Sequence, residues 1–295
     1  MIRRLSLSFL LAALSLGAFA TAAVAKPRAA KAPAVTLTSP LTRGSEYLAL
    51  GDSVTFGYQE PTTVPAPNYH DAASFLGYPE QIAKQLHVKV TNLACPGETS
   101  GSLINVHNPT FACENAYRKD FPLHVRYSGS QLSTAVSFLR HHSGVRLVSL
   151  MIGANDYFLC EATTSDKCAA PAEQKAVLAG VSRNVRKILT AIRSQAHYTG
   201  QVAIVNYYST SYASAVDDAQ SLALNQAMDA GAKPFHVVYA NGYAEFQTAS
   251  VKYGNQPCLA GLITQLDSTV GDCGIHPTYS GQALLGAALL QAIRT

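Results

Sequence analysis

Five short apolar runs recur along the chain, separated by stretches with helical spacing. That alternation is the strongest constraint on what this sequence can fold into. The strand-like runs are 46–50, 88–93, 145–152, 202–207 and 236–240. Helix-like stretches at 78–86, 130–142, 172–195 and 219–230 lie between them. In a final stretch, 279–293, Leu284, Leu285, Ala288 and Leu289 recur at the spacing of one helical face. Strands alternating with helices predict a three-layer α/β/α sandwich around a mostly parallel five-stranded sheet. Right-handed crossovers then place helices on both of its faces.

In such open sheets ligands bind outside the carboxyl ends of the strands. The first strand is followed by "GDSVTFG" with Ser53, the second by "ACPGETSG" with Gly97, and the third by "GANDYF" with Asn155 and Asp156. A fourth block, "GDCGIHPT" with His276, precedes the last helix, and reaches the same edge if that helix packs back antiparallel to the strands. Each block alone has a plain structural explanation. Ser53 suits a helix N-cap, Gly97 a turn, and Asn155-Asp156 a strand-end turn. His276 suits a loop before a helix capped by Thr278. Four in order on one edge point instead to a site.

Taken together the blocks resemble the SGNH (GDSL-type) hydrolases over roughly residues 46–294, and are most similar to secreted actinobacterial esterases and lipases with three disulfides. The resemblance implies a flavodoxin-like sandwich in which Ser53 is the nucleophile and His276 its base. It implies an oxyanion hole built from the Ser53 and Gly97 N–H groups and the Asn155 amide. Asp156 is implied to support the loop carrying Asn155. The chemistry agrees: a serine hydroxyl needs a base to take its proton, and ester attack creates an oxyanion that needs preorganised donors. Asp52 and Asp156 read as structural residues that bond local backbone N–H groups.

The chain departs from the family at the third member of the triad. The family places its acid three residues before the histidine, where this chain has Cys273. Two arrangements stay open. Asp272 reaches back to His276, helped by a turn at Gly274, or a backbone carbonyl near Cys273 orients the imidazole. Asp272 is the candidate carried forward. No serine is flanked by glycines in the G-x-S-x-G arrangement, so the α/β-hydrolase alternative lacks its nucleophile elbow. Asp120 and His124 have neither a preceding strand nor a serine block, and His141-His142 reads as positive charge at a helix end.

The six cysteines lie beyond residue 90, an even number that suits three disulfides in an oxidising compartment. About 15 connectivities are open. The local pairing Cys95–Cys113, Cys160–Cys168 and Cys258–Cys273 is expected, because each pair brackets one apparent loop. No C-x-x-C occurs, so no metal site is expected. Arg3 and Arg4, the uncharged run 5–20 and the small residues at 23–25 read as a secretory signal over 1–25. Residues 26–43, rich in Ala and Pro, read as a flexible leader, with one folded domain over 44–295.

A hydrophobic content of 48% against 14% charged supports a buried core. The formal net charge of +4, two units of which are Arg3 and Arg4, is too weak to suggest a nucleic-acid partner, and none is expected. The expected protein is a monomeric, secreted serine esterase or lipase acting on small-molecule or lipid esters. It needs no cofactor and no stable membrane insertion. Segments 58–77 and 101–129, rich in Tyr, Phe, His and Pro, are candidate pocket walls or else disulfide-pinned surface loops. A carbohydrate acetyl esterase is the alternative within enzymes. A catalytically silent binding protein is the alternative outside them.

Overall fold

In the computed structural model, residues 40–63, 65–267, 269 and 271–294 are described. The signal-like segment 1–25 and the leader up to residue 39 lie outside the described residues. Five parallel strands form the sheet: β1 (Glu46–Gly51), β2 (Lys89–Asn92), β3 (Val145–Met151), β4 (Gln201–Val205) and β5 (Val238–Ala240), in the order β2-β1-β3-β4-β5. Their apolar runs are explained by burial on both faces. Leu48 and Leu50 of β1, Val148 and Leu150 of β3, and Ile204 of β4 are all fully or almost fully buried.

The helices are α1 (Ser53–Phe56), α2 (Tyr78–Leu86), α3 (Ser100–Ile104), the single turn α4 (Arg118–Asp120), α5 (Gln131–His141) and α6 (Ala154–Thr163). They continue with α7 (Pro171–Thr190), α8 (Ala215–Ala232), α9 (Gly242–Ser250) and α10 (Tyr279–Ala292). One layer packs α2, α9 and α10 together; the other packs α3, α5, α7 and α8. Among the described residues no helix is long and apolar enough to cross a membrane.

β1 pairs with β2 on one side and β3 on the other, and all later strands extend beyond β3. The strand order therefore reverses between β1 and β3. Their carboxyl ends frame the crevice where a ligand fits in this class of sheet. Ser53 and Asn155 follow those two ends.

Two elements depart from the sequence reading. The long stretch before α10 contains a separate antiparallel hairpin, β6 (Ile263–Gln265) and β7 (Cys273–Pro277), and His276 sits on β7 rather than in a loop. The folded body also begins earlier than residue 44. Leu41 is 2% exposed, and its N–H donates to the Arg294 carbonyl at 3.0 Å, so the first and last described segments meet. The cysteines pair as Cys95–Cys113, Cys160–Cys168 and Cys258–Cys273.

Truncating a fully buried leucine loses its transfer free energy and leaves a cavity. Leu41→Ala is therefore expected to lower unfolding free energy by about 2–5 kcal/mol. Arg43→Ala, two residues on and exposed, should stay within about 0.5 kcal/mol. Urea titrations of the two variants check where the folded body begins.

Candidate active site

The chain leaves β1 through Asp52, whose extended backbone (φ −108°) starts a one-turn helix. The Asp52 carboxylate accepts the Val54 N–H at 3.0 Å, so Asp52 and not Ser53 is the N-cap. That leaves the Ser53 hydroxyl free. His276 Nε2 lies 2.9 Å from Ser53 Oγ, and the two residues are separated by more than two hundred positions in the chain.

The acid behind the histidine is Glu60. Its Oε1 lies 2.7 Å from His276 Nδ1. With a carboxylate there the proton belongs on Nδ1, and Nε2 presents its lone pair to Ser53. The Thr264 hydroxyl donates to Glu60 Oε2, and Thr264 Oγ1 stands 3.1 Å from the His276 carbonyl. The Tyr58 ring packs 4.7 Å from the imidazole, and the Tyr208 hydroxyl donates to the Ile275 carbonyl, which steadies β7.

Asp272 does not occupy this position. It is exposed, at the mouth of the β6–β7 turn, where its N–H donates to Thr269 and its carbonyl accepts from Leu266. A backbone carbonyl near Cys273 is not the acceptor either, because Nδ1 is taken. Gly274 plays a different part from the one expected. It does not bend Asp272 back. A Cβ at Gly274 would run into the Glu60 carboxylate, so a bare backbone is what admits Glu60 to the histidine. Glu60 lies seven residues after Ser53, three beyond the block that carries the nucleophile. The missing D-x-x-H was the only sequence signal that an acid had to come from elsewhere.

The other two blocks converge on Ser53 through a buried polar network. Gly97 has φ +80°, and a Cβ there would sit 2.6 Å from the Ala112 nitrogen. Its carbonyl accepts the Phe111 and Ala112 N–H groups, in the loop closed by the Cys95–Cys113 disulfide. Among the described residues, the Gly97 and Ser53 N–H groups donate to no protein acceptor. Asn155, on the first turn of α6 and 5% exposed, sends its amide to the Glu98 carbonyl at 3.0 Å, with Asp52 Oδ2 at a longer 3.4 Å. Asp156 reaches sideways to α3, accepting the Ser100 N–H at 2.7 Å and hydroxyl at 2.6 Å. It ties the Gly97 loop to the Asn155 loop instead of shaping its own loop alone. The Tyr207 hydroxyl donates to Asp52 at 2.5 Å.

A cleft of ≈ 870 Å³, open solvent included, lies beside Ser53. Its walls come from α6, the segment after β4, the start of α8, and Ile275. The segments 58–77 and 101–129 do not supply them. They pack on each other instead, around Phe56, Phe75 and Tyr117.

Burial raises several carboxyls around the site. Glu60 is the exception. Burial pushes it up, but the hydrogen bond and charge of His276 and the Thr264 hydroxyl outweigh that and leave it below the usual carboxylate range.

The sequence profile of the GDSL-like lipase/acylhydrolase family matches residues 49–284. None of the curated proteins matches the chain. Among solved structures, phospholipase A1 from Streptomyces albidoflavus is similar at TM-score 0.54 and 17% identity, over 84% of this chain and 99% of that one. A putative GDSL-like lipase from Parabacteroides merdae reaches TM-score 0.53 at 15% identity, over 85% and 96%. A catalytic mutant of an acetylxylan esterase from Geobacillus stearothermophilus reaches 0.51 at 16%, over 86% and 95%. At these identities the likeness is one of fold.

Burial lifts Asp52 and Asp156 to about 6 and Glu98 to about 8, despite the hydrogen bonds each accepts. These groups hold their protons more tightly folded than unfolded. Their contribution is complete below the unfolded values and is lost as pH rises through the folded ones. Each group is expected to cost up to about 1.4 kcal/mol per pH unit inside its window. The urea midpoint should therefore fall from a pH of about 4, the ordinary carboxyl value, to about 8, with Asp52 and Asp156 acting below about 6 and Glu98 up to about 8. Glu98→Gln should flatten the upper part of that decline. Glu60 has the opposite sign and acts only at the acid end.

Proposed function

The chain belongs to the GDSL-like lipase/acylhydrolase family, and from that premise we propose that it is a secreted serine esterase or lipase that works through an acyl-enzyme on Ser53. The observation that carries the reading is the continuous chain Ser53 Oγ, His276 and Glu60, with separations of 2.9 and 2.7 Å.

The mechanism follows from the donors and acceptors in place. Nε2 of His276 takes the Ser53 proton as Oγ attacks the ester carbonyl. The imidazolium that forms keeps its Nδ1–H on Glu60, whose lowered pKa keeps the carboxylate charged to meet it. The developing oxyanion is met by the Ser53 and Gly97 N–H groups and the Asn155 amide. For this the second Asn155 N–H leaves its long contact to Asp52, which the Tyr207 hydroxyl already satisfies. His276 then returns its proton to the leaving alkoxide, and water repeats the sequence on the acyl-enzyme. Every protonic role is filled by a side chain, and no step calls for a cofactor.

The cleft supports an acyl or aryl group larger than acetyl, since Val54, Phe158, Leu224 and Ile275 contribute apolar walls. Secretion is supported by the signal-like segment 1–25 and by three disulfides. We read the protein as a monomer that takes ester substrates and no nucleic acid.

A panel of p-nitrophenyl esters from acetyl to palmitoyl tests the reading. Wild type should hydrolyse short and medium esters and label at Ser53 with an organophosphonate, and Ser53→Ala should do neither. Activity confined to acetyl esters would favour a carbohydrate esterase. An unlabelled, inactive wild type would favour a binding protein.

The third member is tested separately. Glu60→Gln removes the charge that holds the Nδ1 tautomer, and kcat should fall by about 10²–10⁴. Asp272→Asn should change kcat less than about twofold, as an exposed surface substitution does. A large loss in Asp272→Asn with an intact Glu60→Gln would reverse the assignment.

A further inference from the structure

The cleft beside Ser53 carries more negative charge than a hydrolase of neutral esters requires. Two helices present one face each to it: α6 with Ala154, Phe158 and Glu161, and α8 with Asp217, Ser221 and Leu224. Those spacings of three and four place each set along one side of its helix. Each wall thus contributes one carboxylate. No lysine or arginine lines the cleft, although the chain as a whole is positive. Among the described residues neither Glu161 nor Asp217 forms an ion pair.

Helix stability accounts for one of these acids and not for the other. Asp217 is in the first turn of α8, where an anion complements the helix dipole. Glu161 stands two residues before the last residue of α6, in a turn without a basic residue, where the dipole disfavours an anion. Its place on the cleft wall is what remains to explain it. Tyr157 and Phe158 lie beside it, and aromatic faces attract cations by their quadrupole.

We propose that this cleft selects esters bearing a permanent cationic group, such as a quaternary ammonium, which Glu161, Asp217 and the neighbouring aromatic rings hold while Ser53 attacks. The proposal rests on the ester-hydrolase reading of the Ser53 site and adds the charge of the substrate to it. Neutral esters still enter, because the walls are largely apolar. Anionic esters are disfavoured by like charge.

The experiment compares kcat/KM for butyrylthiocholine with that for its uncharged isostere, 3,3-dimethylbutyl thiobutyrate. Wild type should prefer the cation at low salt and lose the preference at high salt. Glu161→Gln and Asp217→Asn should each lower the ratio by about two- to fivefold, the range for exposed charge pairs. The double variant should bring the ratio near one. Glu161→Gln should meanwhile leave the urea midpoint unchanged or higher, which separates lost selectivity from lost folding. A ratio indifferent to both substitutions overturns the proposal. Failure of the wild type on the neutral isostere and on p-nitrophenyl esters would instead overturn the ester-hydrolase reading. The cation site is then decided by calorimetry of benzyltrimethylammonium on Ser53→Ala, where absence of saturable binding refutes it.

Discussion

The structure is organised around one imidazole held at both nitrogens. His276 meets Ser53 on one side and Glu60 on the other, at 2.9 and 2.7 Å. Both partners come from the first fifty residues of the folded body, and the histidine from its last twenty. Nothing local brings them together. The sheet sets the position of Ser53 by ending β1 at the crevice. The β6–β7 hairpin sets the position of His276, pinned by the Cys258–Cys273 disulfide and the Tyr208 hydroxyl. If either support shifted by an ångström, the hydrogen bonds would be lost and the serine would revert to an ordinary alcohol.

A second constraint lies beneath it. Asp52, Glu98 and Asp156 are buried acids, and each is neutralised or hydrogen-bonded by its neighbours instead of being paired with a base. They spend stability near neutral pH to tie three loops together. Ser100 bonds Asp156, the Glu98 backbone accepts Asn155, and Asp52 caps the turn carrying Ser53. A half-satisfied network of this kind would be worse than an apolar core, so its completeness keeps the loops in register.

Much of this was legible in advance for residues that act through strand ends. Periodicity located all five strands and most long helices, because a strand buried on both faces must be written as an apolar run. Ser53, Gly97 and Asn155 followed, since the carboxyl ends of parallel strands share one edge. Glu60 was not legible. Spacing along the chain says nothing about a residue that leaves the nucleophile's turn and meets a hairpin more than two hundred positions away. The familiar acid position instead drew attention to Asp272, which is exposed. The aromatic segments misled for a similar reason: composition marks them as apolar, but not whether they face a cleft or each other. α6 was missed as a helix because it begins inside the Asn155 block and buries little beyond Asn155.

By itself the sequence determined the class of fold, the edge of the sheet where the blocks gather, and the three blocks that strand direction puts there, while the fourth, with His276, came from the family resemblance. These depend on alternation of side chains and on strand direction, both local properties of the chain. Tertiary structure alone decided which acid orients His276, which helix faces wall the cleft, and that the cleft is lined by Glu161 and Asp217. Those depend on how distant segments approach. The approach is set by packing and by small openings, such as the missing side chain at Gly274, that no local pattern records.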